Sequence, residues 1–202
     1  VCGDDHYTAE VIRRCALRLK VISKWGTGID SIDKETAEAI GIQVFRTLNA
    51  FTVPVSDSVM GYILAFARRQ PWMDDDVKAG NWSKIPGRAL SECTLGVIGV
   101  GFIGKEVLRK AHAFGMKLLA NDIVEVSHDF LGLYPVKMIS LAELLAEADF
   151  ISVNCDLNPT SYHLLDRQAF ALMKPTAVVI NTARGSIIDE GALVEALRQG
   201  LI

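Results

Sequence analysis

Apolar positions along this chain fall into two rhythms: short unbroken runs of strand length, and stripes that recur every three to four residues. From residue 95 onward the two alternate regularly. An apolar run at 95–98 reads as a buried strand, and Ile103, Val107, Leu108, Ala111 and Phe114 then share one helical face. Further strands read at 117–121, 136–139, 150–154 and 177–181, with helices at 141–147, 167–172 and 190–199. Strands alternating with helices predict an α/β fold, a doubly wound parallel sheet of the Rossmann type with helices on both faces. Ligands of such sheets bind beyond the carboxyl ends of the strands.

The first part of the chain keeps the rhythm less completely. A helix at 9–15, a strand at 20–23, a loop at 24–33, a helix at 34–40 and a strand at 42–45 describe part of a second α/β lobe over residues 1–50. A long helix at 55–69, introduced by Pro54, carries Val59, Met60, Ile63, Phe66 and Ala67 as an apolar stripe. Residues 70–94 are polar and punctuated by Pro71, Gly80, Pro86 and Gly87, and read as a loop over the surface. The expected division is therefore 1–50, an inter-lobe helix and connecting loop over 51–94, and a nucleotide-binding domain over 95–202.

The strand at 95–98 runs straight into Gly99, Gly101 and Gly104, spaced G-x-G-x-x-G, and the next strand leads to Asp122, 18 residues past Gly104. This is the dinucleotide-binding fingerprint in its strand–helix–strand context. Gly99 permits the tight turn, Gly101 lets a diphosphate approach the backbone, and Gly104 lets the helix pack closely on the sheet. The helix N-terminus offers N–H groups and a partial positive charge to the phosphates. A carboxylate at 122 accepts hydrogen bonds from a ribose diol and repels a 2′-phosphate, and Ile123, Val124 and Glu125 supply no arginine for one. The pattern favours NAD over NADP. The plainer alternative is a glycine-rich turn of another α/β protein, with Asp122 an ordinary loop acid.

Composition narrows the field of partners. The chain has 202 residues, half of them apolar, and a net charge of −3 with no Lys/Arg run, which argues against nucleic acid and acidic membrane surfaces. No apolar run reaches transmembrane length. Cys2, Cys15, Cys93 and Cys155 are scattered, as suits a reducing cytoplasm, and His6, His112, His128 and His163 are too far apart to suggest a metal site. His128 falls in a surface loop. His163 follows the Asn158-Pro159 turn and reads as structural.

A strand also delivers Arg184 to the ligand edge of the sheet, where Gly185 turns the chain at once. A guanidinium there offers a fixed fork of donors to a carboxylate and a neighbouring carbonyl. The alternative is an arginine that pairs with Asp189 or Glu190 to hold its loop.

Six stretches taken together are similar to one family. They are KWGTGIDSID at 24–33, VSDSVMGYIL at 55–64, GNW at 80–82, LGVIGVGFIG at 95–104, CDLNPT at 155–160 and NTARG at 181–185. In this order they resemble the D-isomer-specific 2-hydroxyacid dehydrogenases, in particular the phosphoglycerate dehydrogenase-like branch, over nearly the whole chain. The resemblance implies hydride exchange between NAD and C2 of a D-2-hydroxy or 2-oxo acid, a 3-phosphoglycerate-like acid among the candidates, in a cytoplasmic homodimer. It implies that residues 1–50 are part of a flavodoxin-like substrate lobe. Arg184 matches the catalytic arginine that binds the substrate carboxylate and polarises the reacting oxygen. Gly26, Thr27 and Gly28 match a substrate-lobe loop whose N–H groups receive that carboxylate. Phe102 and Ile103 match residues whose amides face the diphosphate, and Asp122 the ribose acid. Cys155, Asp156, Thr182 and Ala183 match positions at the nicotinamide end, although Cys155 also reads as a small apolar filler. Lys24 reads as a solvated lysine, or as a contact for a distal anionic group.

The family's general acid/base histidine and its glutamate have no counterpart here. The chain therefore reads as a piece of a longer enzyme that binds NAD but turns over poorly or not at all. Asp57 and Asp156 stand where the family usually has Glu and often has Pro. Trp72 and Trp82 read either as dimer anchors or as packing on their own domain. The rival readings are an NAD(H)-sensing, corepressor-like interaction protein of the same fold, and another two-lobed NAD enzyme such as a formate or phosphonate dehydrogenase.

Overall fold

A computed structural model describes residues 1–3 and 5–202. It divides into two compact units, Val1–Val53 and Pro54–Ile202. The first holds α1 (Ala9–Cys15), β1 (Val21–Lys24), α2 (Lys34–Ala39) and β2 (Gln43–Arg46), with β1 and β2 parallel and Cys2 bridged to Lys24 on the other edge of β1. Thr8 and Asp33 cap the two helices by accepting from Val11 N–H and Thr36 N–H. Ile12, Ile22, Ile32 and Ile42 form the small core. Lys24 departs from the expectation of a solvated side chain. It ends β1 rather than opening a loop, is only 3% exposed, and its Nζ donates to the Gly3 carbonyl. Strand pairing on both sides of Lys24 encloses the stem.

The second unit takes in most of the long helix α3 (Thr52–Ala67), then α4 (Gln70–Lys78), β3 (Thr94–Ile98), α5 (Phe102–Ala113), β4 (Lys117–Asn121), α6 (His128–Leu133), β5 (Val136–Met138), α7 (Leu141–Glu147), β6 (Phe150–Val153), α8 (Arg167–Leu172), β7 (Val178–Asn181) and α9 (Glu190–Gln199). The five strands are parallel in the order β5-β4-β3-β6-β7, so the strand order reverses between β3 and β6. Side chains alternate across the sheet as a period of two requires. Leu95, Val97, Leu118 and Ala120 join the cluster under α3 and α5, while Ile98, Leu119, Ile151 and Val153 join the cluster under α7, α8 and α9. These two apolar layers cover the two faces of the sheet.

Several expectations need correction. The segment 70–94 is not a continuous loop: Pro71 sits in the first turn of α4, where its missing N–H costs nothing, and a 3-10 turn forms at Leu90–Glu92. Arg69, at φ 57°, breaks α4 from α3. Proline read as loop punctuation was here a helix start. His128 opens a short helix rather than lying in a loop. Phe114 lies beyond the end of α5 and is exposed. Phe66 leaves the core stripe of α3, 41% exposed, and meets Trp72 edge-on at 5.4 Å.

At the amino end of the sheet Asp149 ties three segments together. Its carboxylate accepts from Thr94 N–H (2.8 Å), Arg88 Nη1 (3.2 Å) and Lys174 Nζ (3.2 Å). Burial pushes this carboxyl up, but the Thr94 bond and the two cations outweigh it and hold it below the usual carboxylate range. A depressed carboxyl contributes stability above its unfolded pKa and loses it as pH falls through the folded value. Because Arg88 and Lys174 are partly solvated, Asp149→Asn should cost about 1–2 kcal/mol at pH 7, below the ~3–5 kcal/mol of a fully buried pair. Denaturant unfolding should show that gap shrinking below about pH 4. A gap unchanged at acid pH would refute the assignment.

Candidate functional site

The carboxyl edge of the sheet gathers the predicted residues in strand order. Asp122 follows β4, Gly99 follows β3, Asn154 and Cys155 follow β6, and Thr182, Ala183 and Arg184 follow β7. Gly99 and Cys155 stand at the reversal of strand order, the position at which doubly wound sheets open a crevice.

The glycine turn is built by close backbone contacts. Gly99 has φ +88°, and a Cβ on it would lie 2.6 Å from Cys155 N. A Cβ on Gly104 would run into the Gly99 carbonyl, so the first turn of α5 rests directly on the loop. Beside Gly101 the space is open: apart from its chain neighbours, no atom of the described residues lies within 4 Å of where a Cβ would be. Gly101 N-caps α5 without any side-chain cap, as Arg69 and Ser127 do for α4 and α6, whereas α1, α2, α7, α8 and α9 are capped by Thr8, Asp33, Ser140, Asp166 and Asp189. A helix end left uncapped by side chains presents its first amides, those around Phe102, Ile103 and Gly104, to an anion.

Asp122 does two things at once. Its Oδ2 accepts from Val100 N–H at 2.6 Å and its Oδ1 from Val124 N–H at 2.9 Å, so it staples the glycine turn to the end of β4. Each oxygen keeps a further lone pair for a ribose hydroxyl. The acid borders a cleft with Ile98, Gly99, Ile123, Cys155, Asn158 and Leu164, a lining without Lys or Arg. Cys155 lines the same cleft as Asp122 and follows the strand next to the one that leads to Thr182 and Ala183. Burial pushes its thiol up, with Asp122 and Asp156 adding to the effect, so it stays a neutral filler. Asp156 is exposed, and its carbonyl accepts from Ser161 Oγ at 2.6 Å. Asp122→Ala should weaken NAD about tenfold in a binding titration, since a hydrogen bond to a charged group is worth ~1.5–3 kcal/mol, while NADP affinity should hold or rise. Parallel losses for both nucleotides would show that the acid serves the turn alone.

Arg184 N-caps a 3-10 turn at Gly185–Ile187, and its Nη1 donates to the Ala183 carbonyl at 3.0 Å. The Asn181 side chain closes the same turn, accepting from Ala183 N–H (3.0 Å) and donating to the Arg184 carbonyl (2.8 Å). Asp189 caps α9 by accepting from Ala192 N–H. His163, at φ 52°, donates its N–H to the Ser186 carbonyl (2.9 Å) and stacks on Tyr162. Two buried oxygens at adjacent strand ends, Asn154 Oδ1 and Thr182 Oγ1, have no hydrogen-bond partner among the described residues. Neither Asn154 nor Asn181 stood out in the sequence as a site residue, although both lie in segments expected at the ligand edge.

Gly26, Thr27 and Gly28 lie in the first unit, after β1. Their loop is held by Thr47 N–H on the Gly26 carbonyl (3.0 Å) and Arg46 Nη1 on the Thr27 carbonyl (3.3 Å). Among the described residues no cluster of three or more metal-ligating side chains occurs, and no helix is long and apolar enough to cross a membrane.

Residues 60–202 match the family model described as D-isomer specific 2-hydroxyacid dehydrogenase, NAD binding domain. The chain is 41% identical over 199 residues to the D-3-phosphoglycerate dehydrogenase of Methanocaldococcus jannaschii, covering 96% of this chain and 37% of that protein. It is 39% identical over 197 residues to the hydroxypyruvate reductase of Thermotoga maritima, covering 96% and 63%. A D-lactate dehydrogenase from Aquifex aeolicus, solved with NAD and lactic acid, superposes with a TM-score of 0.91 at 34% identity, over 97% of this chain and 59% of that one. The chain thus spans roughly a third to two thirds of the length of such relatives.

Proposed function

This chain belongs to the D-isomer specific 2-hydroxyacid dehydrogenase family, residues 60–202 being its NAD-binding domain, and from that premise we propose that it serves hydride exchange between NAD and C2 of a D-2-hydroxy acid or the matching 2-oxo acid. The observation that carries the reading is the placement of the uncapped glycine turn, Asp122 and Arg184 along one carboxyl edge of one sheet. NAD supplies the hydride acceptor or donor. The amides at the start of α5 hold its diphosphate, Asp122 its adenosine ribose, and the orphaned Asn154 Oδ1 and Thr182 Oγ1 provide unspent hydrogen-bonding capacity further along the edge. Arg184 binds the substrate carboxylate and draws electron density from the reacting oxygen. The four free thiols fit a cytoplasmic setting.

The proposed protein partner is a second copy. Tyr62 and Phe66 on α3 and Trp72 on α4 are exposed, and Arg69 lies 4.9 Å from the Trp72 ring, which leaves an aromatic face of the kind that anchors contacts. Trp82, at 89% exposure, is free to join it.

The full-length protein, assayed with NAD against paired D- and L-2-hydroxy acids, should reduce NAD with D-acids only. Tight NAD binding with no turnover of any 2-hydroxy or 2-oxo acid would instead favour an NAD(H)-sensing interaction protein.

A further inference from the structure

We infer that Asn181 is a positioning residue that aims Arg184, an inference that rests on the role proposed above for that arginine. The Asn181 side chain spends both ends of its amide on the turn that carries the guanidinium. Its Oδ1 accepts from Ala183 N–H at 3.0 Å and its Nδ2 donates to the Arg184 carbonyl at 2.8 Å. The amide orientation is fixed by chemistry, because an N–H requires the oxygen and a carbonyl requires the nitrogen. The peptide between Ala183 and Arg184 is therefore bracketed by the two bonds, and the carbonyl of that peptide accepts from Arg184 Nη1 at 3.0 Å. Asn181, the last residue of β7, thus holds the turn backbone, and the guanidinium rests on a carbonyl of that same turn. A second mooring lies beyond it, where His163 N–H reaches the Ser186 carbonyl at 2.9 Å and Ile187 N–H reaches the Arg184 carbonyl at 3.2 Å. These bonds shape the later part of the turn, whereas Asn181 ties the turn back to the sheet through a side chain carrying both a donor and an acceptor. Aspartate cannot replace it when ionised, since its second oxygen would face the Arg184 carbonyl and repel it. Glutamine offers the same groups one methylene too far out.

The test uses the full-length protein with NAD and whichever D-2-hydroxy acid it oxidises. Asn181→Asp should lower kcat by on the order of 10²-fold at neutral pH, the scale set by a misplacement of about 1 Å. NAD affinity by fluorescence titration should stay unchanged. As pH falls towards about 4 the carboxyl takes up a proton and regains a donor, so the ratio of mutant to wild-type kcat should climb back. Asn181→Gln should lose kcat similarly without any such recovery, and it keeps the test open should the aspartate variant fail to fold. A kcat equal to wild type in both variants, or a loss that tracks NAD affinity and melting temperature instead of pH, overturns the inference. Arg184→Ala, run alongside, separates the two failures. If it leaves turnover intact, the role of Arg184 is wrong. If it abolishes turnover while the Asn181 variants are silent, only the role of Asn181 is wrong.

Discussion

Arg184→Ala in the full-length protein should lower kcat/KM by about 10³-fold while NAD affinity stays within about twofold. Loss of a single preorganised donor at a developing oxyanion costs ~10²–10³ in rate, and the lost charge-assisted pair with the substrate carboxylate adds to it. The guanidinium follows β7, at the far side of the sheet's carboxyl edge from Asp122. The cleft that Asp122 borders contains no part of Arg184. A dinucleotide anchored by the α5 amides and Asp122 should therefore not register the change. Steady-state kinetics with a fluorescence titration of NAD would separate the two effects. An equal loss in both, or a mild loss in kcat/KM, would favour the plainer reading of Arg184 as a residue that holds its own loop.

Gly104→Ala should weaken NAD binding by up to about 100-fold. The added methyl would occupy the position of the Gly99 carbonyl. That carbonyl belongs to backbone held by Gly99 N–H on the Asn121 carbonyl (2.9 Å) and by Asp122 on Val100 N–H, so it cannot step aside cheaply. Relief requires α5 to lift from β3, which moves the amides that face the diphosphate. Overpacking of this kind costs ~1–3 kcal/mol, and at ~1.4 kcal/mol per tenfold its upper end corresponds to the stated loss. Gly101→Ala is the informative contrast. Its side chain would point into empty space in the protein alone, so folding should be unaffected while the methyl competes with the diphosphate for room. Calorimetric titration of both variants, with melting curves, would show affinity and stability falling together for Gly104→Ala and affinity alone falling for Gly101→Ala.

The sheet and the glycine turn were legible in the sequence because local pattern and tertiary structure agree there. The alternation of Leu95 and Val97 against Ile98 is the alternation of the two buried layers, and G-x-G-x-x-G is a local rule about backbone space. What escaped depends on contacts distant in sequence. Lys24 looked solvated because nothing nearby announces that Cys2 and Arg46 flank it in the sheet. The helix α4 was hidden by Pro71, whose meaning flips between loop marker and helix start according to the residues that follow. Phe66 fits the stripe of α3 by period, yet it turns out to Trp72, a partner on the next helix. Asn181 was readable as a strand end but not as a clamp, since its role lies in two hydrogen bonds to a turn that the sequence does not draw.

Calorimetric titration of NAD into this 202-residue chain tests the central claim most directly. The expected result is saturable binding of one NAD per chain. The absence of any saturable heat from a chain shown to be folded would contradict the account, because the crook between β3 and α5 would then not be a cradle for a dinucleotide.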